Sequence, residues 1–216
     1  MINFIDVTLK HPNSRGIYNV SFDIEKGHFV YLMGPTGAGK STIINSIIKS
    51  VTPDSGQILV NNYDVSKLSE NDLANYRKDI GMVFQDFKLI NDRTIAENIA
   101  LPLQIIGIQN NTIRDKVENI LDKVGLAHKS NSKPHELSGG EQQKICVARA
   151  LIKNPKIIVA DEPTGNLDPS SSDDIIDLLE KESVNGTTII MATHNYPLIE
   201  NRIKHFIELN NGRVVK

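Results

Sequence analysis

One cysteine, Cys146, stands alone in 216 residues. No disulfide can form within the chain, and a reducing compartment is the default. Long apolar runs are missing too. No stretch approaches the roughly 18 consecutive apolar residues that mark a bilayer span, so any work at a membrane needs another chain to supply the span. The N-terminal stretch MINFIDVTLKH alternates and carries Asp6, unlike a signal peptide. An excess of one charge is also absent. The formal net charge is −2, and the basic residues are scattered with no basic block. No nucleic-acid partner is therefore expected. There are no sustained heptads, repeats or low-complexity tracts. What remains is 39% hydrophobic and 23% charged residues, which suits one soluble globular domain, with room for an inserted lobe.

The residues present read first as short strands. Ile2 to Leu9, Asn19 to Ile24 and His28 to Met33 have strand character, with a turn at Lys26-Gly27. GPTGAGKS follows at 34–41, and Ile43, Ile44, Ile47 and Ile48 recur behind it at helical spacing. Gln57 to Val60 and Asp64-Val65 flank the turn residues Asn61-Asn62. The middle reads as helices. Thr94 with Glu97 has the capping-box pattern, and Pro102 is expected to limit that helix. Thr112 with Asp115 is expected to open another, with Ile113, Val117, Ile120, Leu121 and Val124 as its apolar face and Gly125 as its stop. Helices are then expected over Ser138 to Ile152 and Ser171 to Glu182, and strands over Ile157 to Ala160 and Thr187 to Ala192. FIELNNGRVV closes the chain as a hairpin turning at Asn211-Gly212. Alternation of strand and helix points to a mostly parallel sheet, into which residues from about 86 to 137 insert as a helical lobe.

Three motifs carry chemistry. GPTGAGKS fits G-x-x-x-x-G-K-[ST] between a strand and a helix. Its glycines let backbone N–H groups approach phosphate oxygens with no side chain intervening. Gly34, Pro35, Thr36, Gly37, Ala38, Gly39 and Thr42 belong to this cradle. Lys40 is expected to reach the β- and γ-phosphates of ATP, and Ser41 to ligate Mg²⁺. IIVADEP, at 157–163, runs apolar to the end of a strand and then presents two acids. Asp161 suits a Mg²⁺-side carboxylate at the sheet's C-terminal edge, and Glu162 is placed to polarise the attacking water. LSGGEQQ, at 137–143, is a helix start: Ser138 as N-cap, Glu141 three residues on, and two glycines exposing N–H groups. It is a second anion-binding terminus in the same chain.

LSGGEQQ also resembles the signature motif of the ATP-binding cassette (ABC) ATPases. The other pieces follow in that family's order over almost the whole chain: P-loop, Gln85, LSGGEQQ, ADEP, Asn166-Leu167-Asp168, His194. The resemblance implies an α/β fold. A P-loop NTPase core, a mostly parallel sheet flanked by helices, carries an N-terminal antiparallel β-subdomain and an inserted α-helical subdomain. In residues, 1–216 is one nucleotide-binding domain, 1–85 and 138–216 are the ATP-binding core with its β-subdomain, and 86–137 is the helical subdomain. It implies an ATP hydrolase that forms an ATP-dependent head-to-tail homodimer, each ATP held by one subunit's P-loop and the other's signature. Ser138, Gly139, Gly140 and Glu141 then belong to ATP binding across the dimer, and Asp168 to the dimer seam. Gln85 contacts Mg²⁺ and the water and moves with the helical lobe, and His194 reaches the γ-phosphate. The family often stacks an aromatic residue on adenine near position 11. Here the residue is His11, with apolar neighbours such as Ile17 available to share the contact.

Without a span of its own, such an ATPase must act on something else, and the resemblance implies a separate integral membrane protein, met from the cytoplasmic face of the bacterial inner membrane. The stretch QDFKLINDRTIAENIALPL, from Gln85, resembles a branch of the family that serves cell division. The branches for lipoprotein release and macrolide efflux are the alternative. On this reading Asp86 to Thr94 forms the partner surface, with Phe87 and Leu89 as its attachment points.

Overall fold

The computed structural model describes residues 1–11, 16–202 and 205–215. Besides three single-turn 3-10 helices, seventeen helices and strands follow in order among the described residues. They are β1 (Ile2–Lys10), β2 (Gly16–Ile24), β3 (Phe29–Met33), α1 (Lys40–Ile47), β4 (Ser55–Val60), β5 (Tyr63–Asp64), α2 (Glu70–Lys78) and β6 (Ile80–Val83). Then come α3 (Ile95–Ile105), α4 (Asn110–Lys123), α5 (Gly139–Leu151), β7 (Ile157–Asp161), α6 (Pro169–Val184), β8 (Thr188–Thr193), α7 (Tyr196–Ile199), β9 (His205–Asn210) and β10 (Arg213–Val214).

The strands form two sheets. One is antiparallel, in the order β2-β1-β4-β5. The other has six strands, β10-β9-β3-β8-β7-β6, all parallel except the terminal β9–β10 hairpin. Strands β3 and β8 are buried along their full length, and β7 up to its last residue, because helices or the second sheet cover both faces. Their alternation splits the interior in two. Tyr31, Ile158 and Met191 face the helices α3–α6, while Leu32, Val159 and Ala192 face α1 and the antiparallel sheet. The α/β class and the mixed sheets therefore match the sequence expectation.

Several boundaries differ. Pro102 sits inside α3 rather than ending it. The helix stops three residues later, where Gly107 takes φ +79° and the Ile108 N–H reaches back to the Leu103 carbonyl. Glycine's freedom at positive φ outweighs proline's missing donor as a stop. Helix α4 begins at Asn110, ahead of Thr112, with Gln109 as N-cap. Helix α6 begins at Pro169, because proline's fixed φ suits the first helical position and Asp168 caps it. Helix α2 and strand β6 were not visible in sequence: α2 buries only Tyr76, and β6 is four residues long with Gly81 inside it. A Cβ at Gly81 would stand 2.8 Å from the Ala150 carbonyl oxygen, so glycine there lets α5 press against the sheet. The hairpin at Asn211-Gly212 forms as expected, both residues at positive φ.

The segment between Gln85 and Thr94 is organised from α3. Asn98 is fully buried. Its Oδ1 accepts from the Ile90 N–H at 2.7 Å, and its Nδ2 donates to the carbonyls of Ile90 (3.1 Å), Arg93 (3.3 Å) and Thr94 (2.9 Å). Thr94 closes the expected capping box with Glu97. Asn98→Ala would leave the Ile90 N–H and the Arg93 carbonyl without their partner and take a second bond from the Ile90 and Thr94 carbonyls, and is expected to cost about 3 kcal/mol of stability. Chemical denaturation of the variant beside the parent chain checks this; a change below about 1 kcal/mol would mean that water replaces the amide.

Candidate functional site

The site lies where β3, β7 and β8 end, the crevice that parallel α/β sheets present to ligands. The chain leaves β3 into the loop 34–39 and enters α1 at Lys40. No side chain caps this helix, and its first turn holds no acid. The N–H groups are therefore open to an external anion. Two glycines are required sterically. A Cβ at Gly34 would meet the Leu209 carbonyl oxygen at 2.3 Å, and one at Gly39 would meet Ile17 at 2.7 Å. Ile17 itself is fully buried beneath the loop, so it offers no face to a base.

Lys40 is 4% exposed. Its ammonium donates to the carbonyls of Gly34 (2.8 Å) and Pro35 (3.1 Å) and stands 3.4 Å from Glu162 Oε1. The hydroxyl of Ser41 donates to Asp161 Oδ1 at 3.2 Å. Burial holds the Asp161 carboxyl above the usual carboxylate range. Glu162 follows in left-handed backbone, φ +46°, with its N–H on the Ala192 carbonyl of β8. That turn swings its carboxylate between two bases: Lys40 on one side and His194 Nδ1, at 2.9 Å, on the other. His194 is exposed at the end of β8, as its place after the strand implied.

A pocket of about 320 Å³ collects Lys40, Ser41, Asp161 and Glu162, with His194 outside its lining. Its lining includes His11, Thr36, Gly37, Gly39, Lys40, Ser41, Thr42, Gln85, Asp161 and Glu162. His11 is tied to Thr42 Oγ1 at 3.2 Å, and its neighbours Pro12 and Asn13 lie outside the described residues. Gln85 lies against Gly165, where a Cβ would sit 2.7 Å from its Nε2. The donor set fits a triphosphate: open N–H groups, one buried ammonium and a glycine cradle. Among the described residues no cluster of three His, Cys, Asp or Glu could hold a metal. A cation beside Ser41, Asp161 and Gln85 would complete its shell from water and phosphate oxygens, as Mg²⁺ does.

The remaining expected site residues are not in this pocket. Ser138 caps α5 and Glu141 closes a capping box: the Ser138 N–H donates to Glu141 Oε2 at 2.8 Å, and the Glu141 N–H to Ser138 Oγ at 3.3 Å. These bonds hold the Glu141 carboxyl below its ordinary range. Ser138 is exposed, with Gly139 and Gly140 behind it. Asp168 is exposed too, and its carboxylate accepts from the Ser171 N–H at 3.0 Å; hydrogen bonding from the Ser171 hydroxyl and then from this N–H holds the carboxyl below its ordinary range. Within one chain Asp168 is thus a helix cap, a role that its spacing before Pro169 and Ser171 could have shown. Sequence reasoning also missed how these loops are joined. Asn166 Nδ2 donates to the Gln85 carbonyl at 3.2 Å. The Cα of Gly139 faces Leu167 and Phe87, to which a Cβ would stand 3.7 and 3.9 Å.

A glycine cradle between a buried strand and an uncapped helix, with a buried lysine and an Asp-Glu pair at the end of β7, two strands away in the same sheet, defines a P-loop nucleoside triphosphatase. Within that class the chain belongs to the ABC transporter family, which it matches over residues 17–165, and it is an ATP hydrolase. It is 45% identical over its full length to the cell division ATP-binding protein FtsE of Streptococcus pneumoniae, covering 94% of that protein. To the FtsE of Bacillus subtilis it is 42% identical, covering all of this chain and 95% of that one. Its structure is also similar to a post-hydrolysis dimer of the ATP-binding cassette MJ0796 bound to ADP and Pi. That likeness has a TM-score of 0.89 and 35% identity and covers 100% of this chain and 97% of the other.

Proposed function

We propose that this chain is the ATPase of a cell-division complex, coupling ATP turnover in a head-to-tail dimer to an FtsX-like membrane protein that regulates cell-wall hydrolysis. Full-length identity of 42–45% to proteins named FtsE carries this reading. Each ATP lies between the P-loop of one subunit and Ser138, Gly139, Gly140 and Glu141 of the other, with Asp168 at the seam. Exposure of Ser138 and Asp168 away from their own pocket supports that arrangement. Lys40 and the loop N–H groups bind the phosphates, and His11 lies beside the base. Ser41, Asp161 and Gln85 hold Mg²⁺, which neutralises phosphate charge. Glu162 accepts a proton from the attacking water, and His194 orients Glu162 and the terminal phosphate. Residues 86–137 form the lobe that moves, on a peripheral protein of the cytoplasmic membrane face. Among the described residues no helix is long and apolar enough to cross a membrane.

The partner surface is best placed one step away from Phe87 and Leu89. Both are half-buried and pack against the larger core cluster, which leaves them less free to meet a partner. Beside them runs a groove of about 730 Å³ between α2, β6, α3 and α5. Its apolar lining includes Met82, Phe84, Leu101, Pro102 and Ile105, and its charged lining is entirely basic: Arg77, Lys78, Lys88, Arg149 and Lys153. Ile105 is 75% exposed. Apolar floor and basic rim fit an apolar segment carrying acids, supplied by the membrane partner. Capture of the chain's partner from detergent-solubilised membranes tests both parts. An FtsX-like protein is expected, and Ile105→Glu should cut its recovery at least about tenfold, since it places a charge in an apolar contact. Recovery of a permease of the lipoprotein-release or macrolide-efflux type would overturn the cell-division reading. Undiminished recovery with Ile105→Glu would move the interface elsewhere.

A further inference from the structure

The turn that follows Gln85 is held in an unfavourable shape by another element. Phe87 and Lys88 are consecutive non-glycine residues in left-handed backbone, with φ of +59° and +52°. Side chains of this size rarely adopt that region. The Lys88 N–H bonds the Asp86 carbonyl at 2.6 Å, closing a three-residue turn about Phe87 whose positive-φ form is rare and strained. Such a conformation persists only where its surroundings impose it.

Helix α5 supplies the constraint. Arg149 donates from one guanidinium nitrogen to the Lys88 carbonyl at 2.6 Å and from the other to the Phe87 carbonyl at 2.8 Å. The Cys146 thiol, one turn earlier, donates to the same Phe87 oxygen at 3.0 Å. Among the described residues Arg149 forms no ion pair with a carboxylate. Its planar fork is spent on two successive main-chain oxygens, a geometry that lysine cannot reproduce. On the other side, Asn166 holds the Gln85 carbonyl. The segment from Gln85 to Lys88 is thus held at both ends, at the Gln85 carbonyl by Asn166 and at the Phe87 and Lys88 carbonyls by the helix that begins at Ser138. Lys88 and Arg149 also line the basic groove, so an occupant there touches the same contact.

We propose that Arg149 is a positioning residue for turnover: from the helix that starts at Ser138 it clamps the Phe87–Lys88 turn, and so sets where Gln85 lies in the ATP site. This rests on the reading of Gln85 as a site residue. It needs no groove occupant and is tested on the full-length chain alone.

If the clamp acts through the turn, removing the strain should make the clamp dispensable. Glycine adopts positive φ without cost, so Lys88→Gly, which relieves one of the two strained positions and leaves the packed Phe87 ring in place, is the second change. Arg149→Met is expected to lower kcat for ATP about tenfold, as small displacements of site groups do, with KM for ATP within about twofold. In the Lys88→Gly background the same change should cost no more than about threefold, a coupling that a double-mutant cycle reads directly. A full tenfold loss in that background would overturn the clamp, because Arg149 would then act through packing of α5 alone. So would an unchanged kcat, or a rise in KM equal to the fall in kcat. Should Arg149→Met fail to fold, Arg149→Lys, which keeps charge and stem, enters the same cycle under the same criteria. Gln85→Ala separates the two readings. If it leaves kcat unchanged, the role of Gln85 fails and the clamp with it. If it lowers kcat while the arginine variants do not, only the clamp fails.

Discussion

Glu162→Gln is expected to lower steady-state ATP hydrolysis by about 10²–10³-fold, the usual contribution of a positioned general base. ATP affinity should stay within about threefold, because the change removes a charge and adds no volume. The geometry separates these effects. The Glu162 carboxylate is the only one within ion-pair distance of Lys40 and of His194 among the described residues, and its main chain is anchored independently through the Ala192 carbonyl and the Gly165 N–H. A glutamine therefore inherits the turn and the contacts but cannot accept the proton. Lys40 keeps its two carbonyl partners, so the phosphate cradle survives. The ATP-bound form should then accumulate as a dimer in gel filtration with ATP and Mg²⁺. Hydrolysis at the parent rate would remove Glu162 from the proton transfer and leave only its pairing with His194.

Lys40→Met should act on binding instead. The ammonium is almost completely buried and already oriented by the Gly34 and Pro35 carbonyls, so little side-chain freedom is lost when a phosphate arrives. Charge-assisted hydrogen bonds of this type are worth about 1.5–3 kcal/mol each, which predicts an ATP dissociation constant weaker by about 10²-fold or more. Methionine fills the lysine stem's volume, and a buried cation's desolvation cost disappears with the charge. The thermal midpoint of the nucleotide-free chain should therefore move by only a few degrees, about what 1 kcal/mol produces at this size. Titration with a fluorescent ATP analogue and a thermal scan give both numbers. Binding within about threefold of the parent would mean that the loop N–H groups alone hold the phosphates.

The parts of the site that were legible in sequence share a property: adjacent residues encode them. The loop at 34–41 needs glycine where a Cβ would strike Leu209 or Ile17, and those glycines, Gly34 and Gly39, stand within six residues of the lysine they serve. The strand 157–160 is apolar on both faces because it is buried on both faces, so the acids that follow it mark its end. Capping boxes at Thr94 and Ser138 span three residues and form as written. Where local signals competed, the reading failed. Pro102 marked a stop that Gly107 makes, and Thr112 marked a start that falls at Asn110. Packing along the rest of each helix outweighs one weak local preference.

From its sequence alone the chain is an α/β P-loop ATPase of the ABC family. The phosphate cradle, the acid pair and the signature helix are local main-chain shapes, and short runs of residues set them. Only the tertiary structure brings Glu162 between Lys40 and His194 and seats Phe87 and Leu89 on the core. It also opens the basic groove and ties the turn after Gln85 to Arg149. These contacts join residues separated by tens to more than a hundred positions. Sheet order and helix packing decide them, and no short run of sequence records the distance between two side chains that meet only when the sheet is complete.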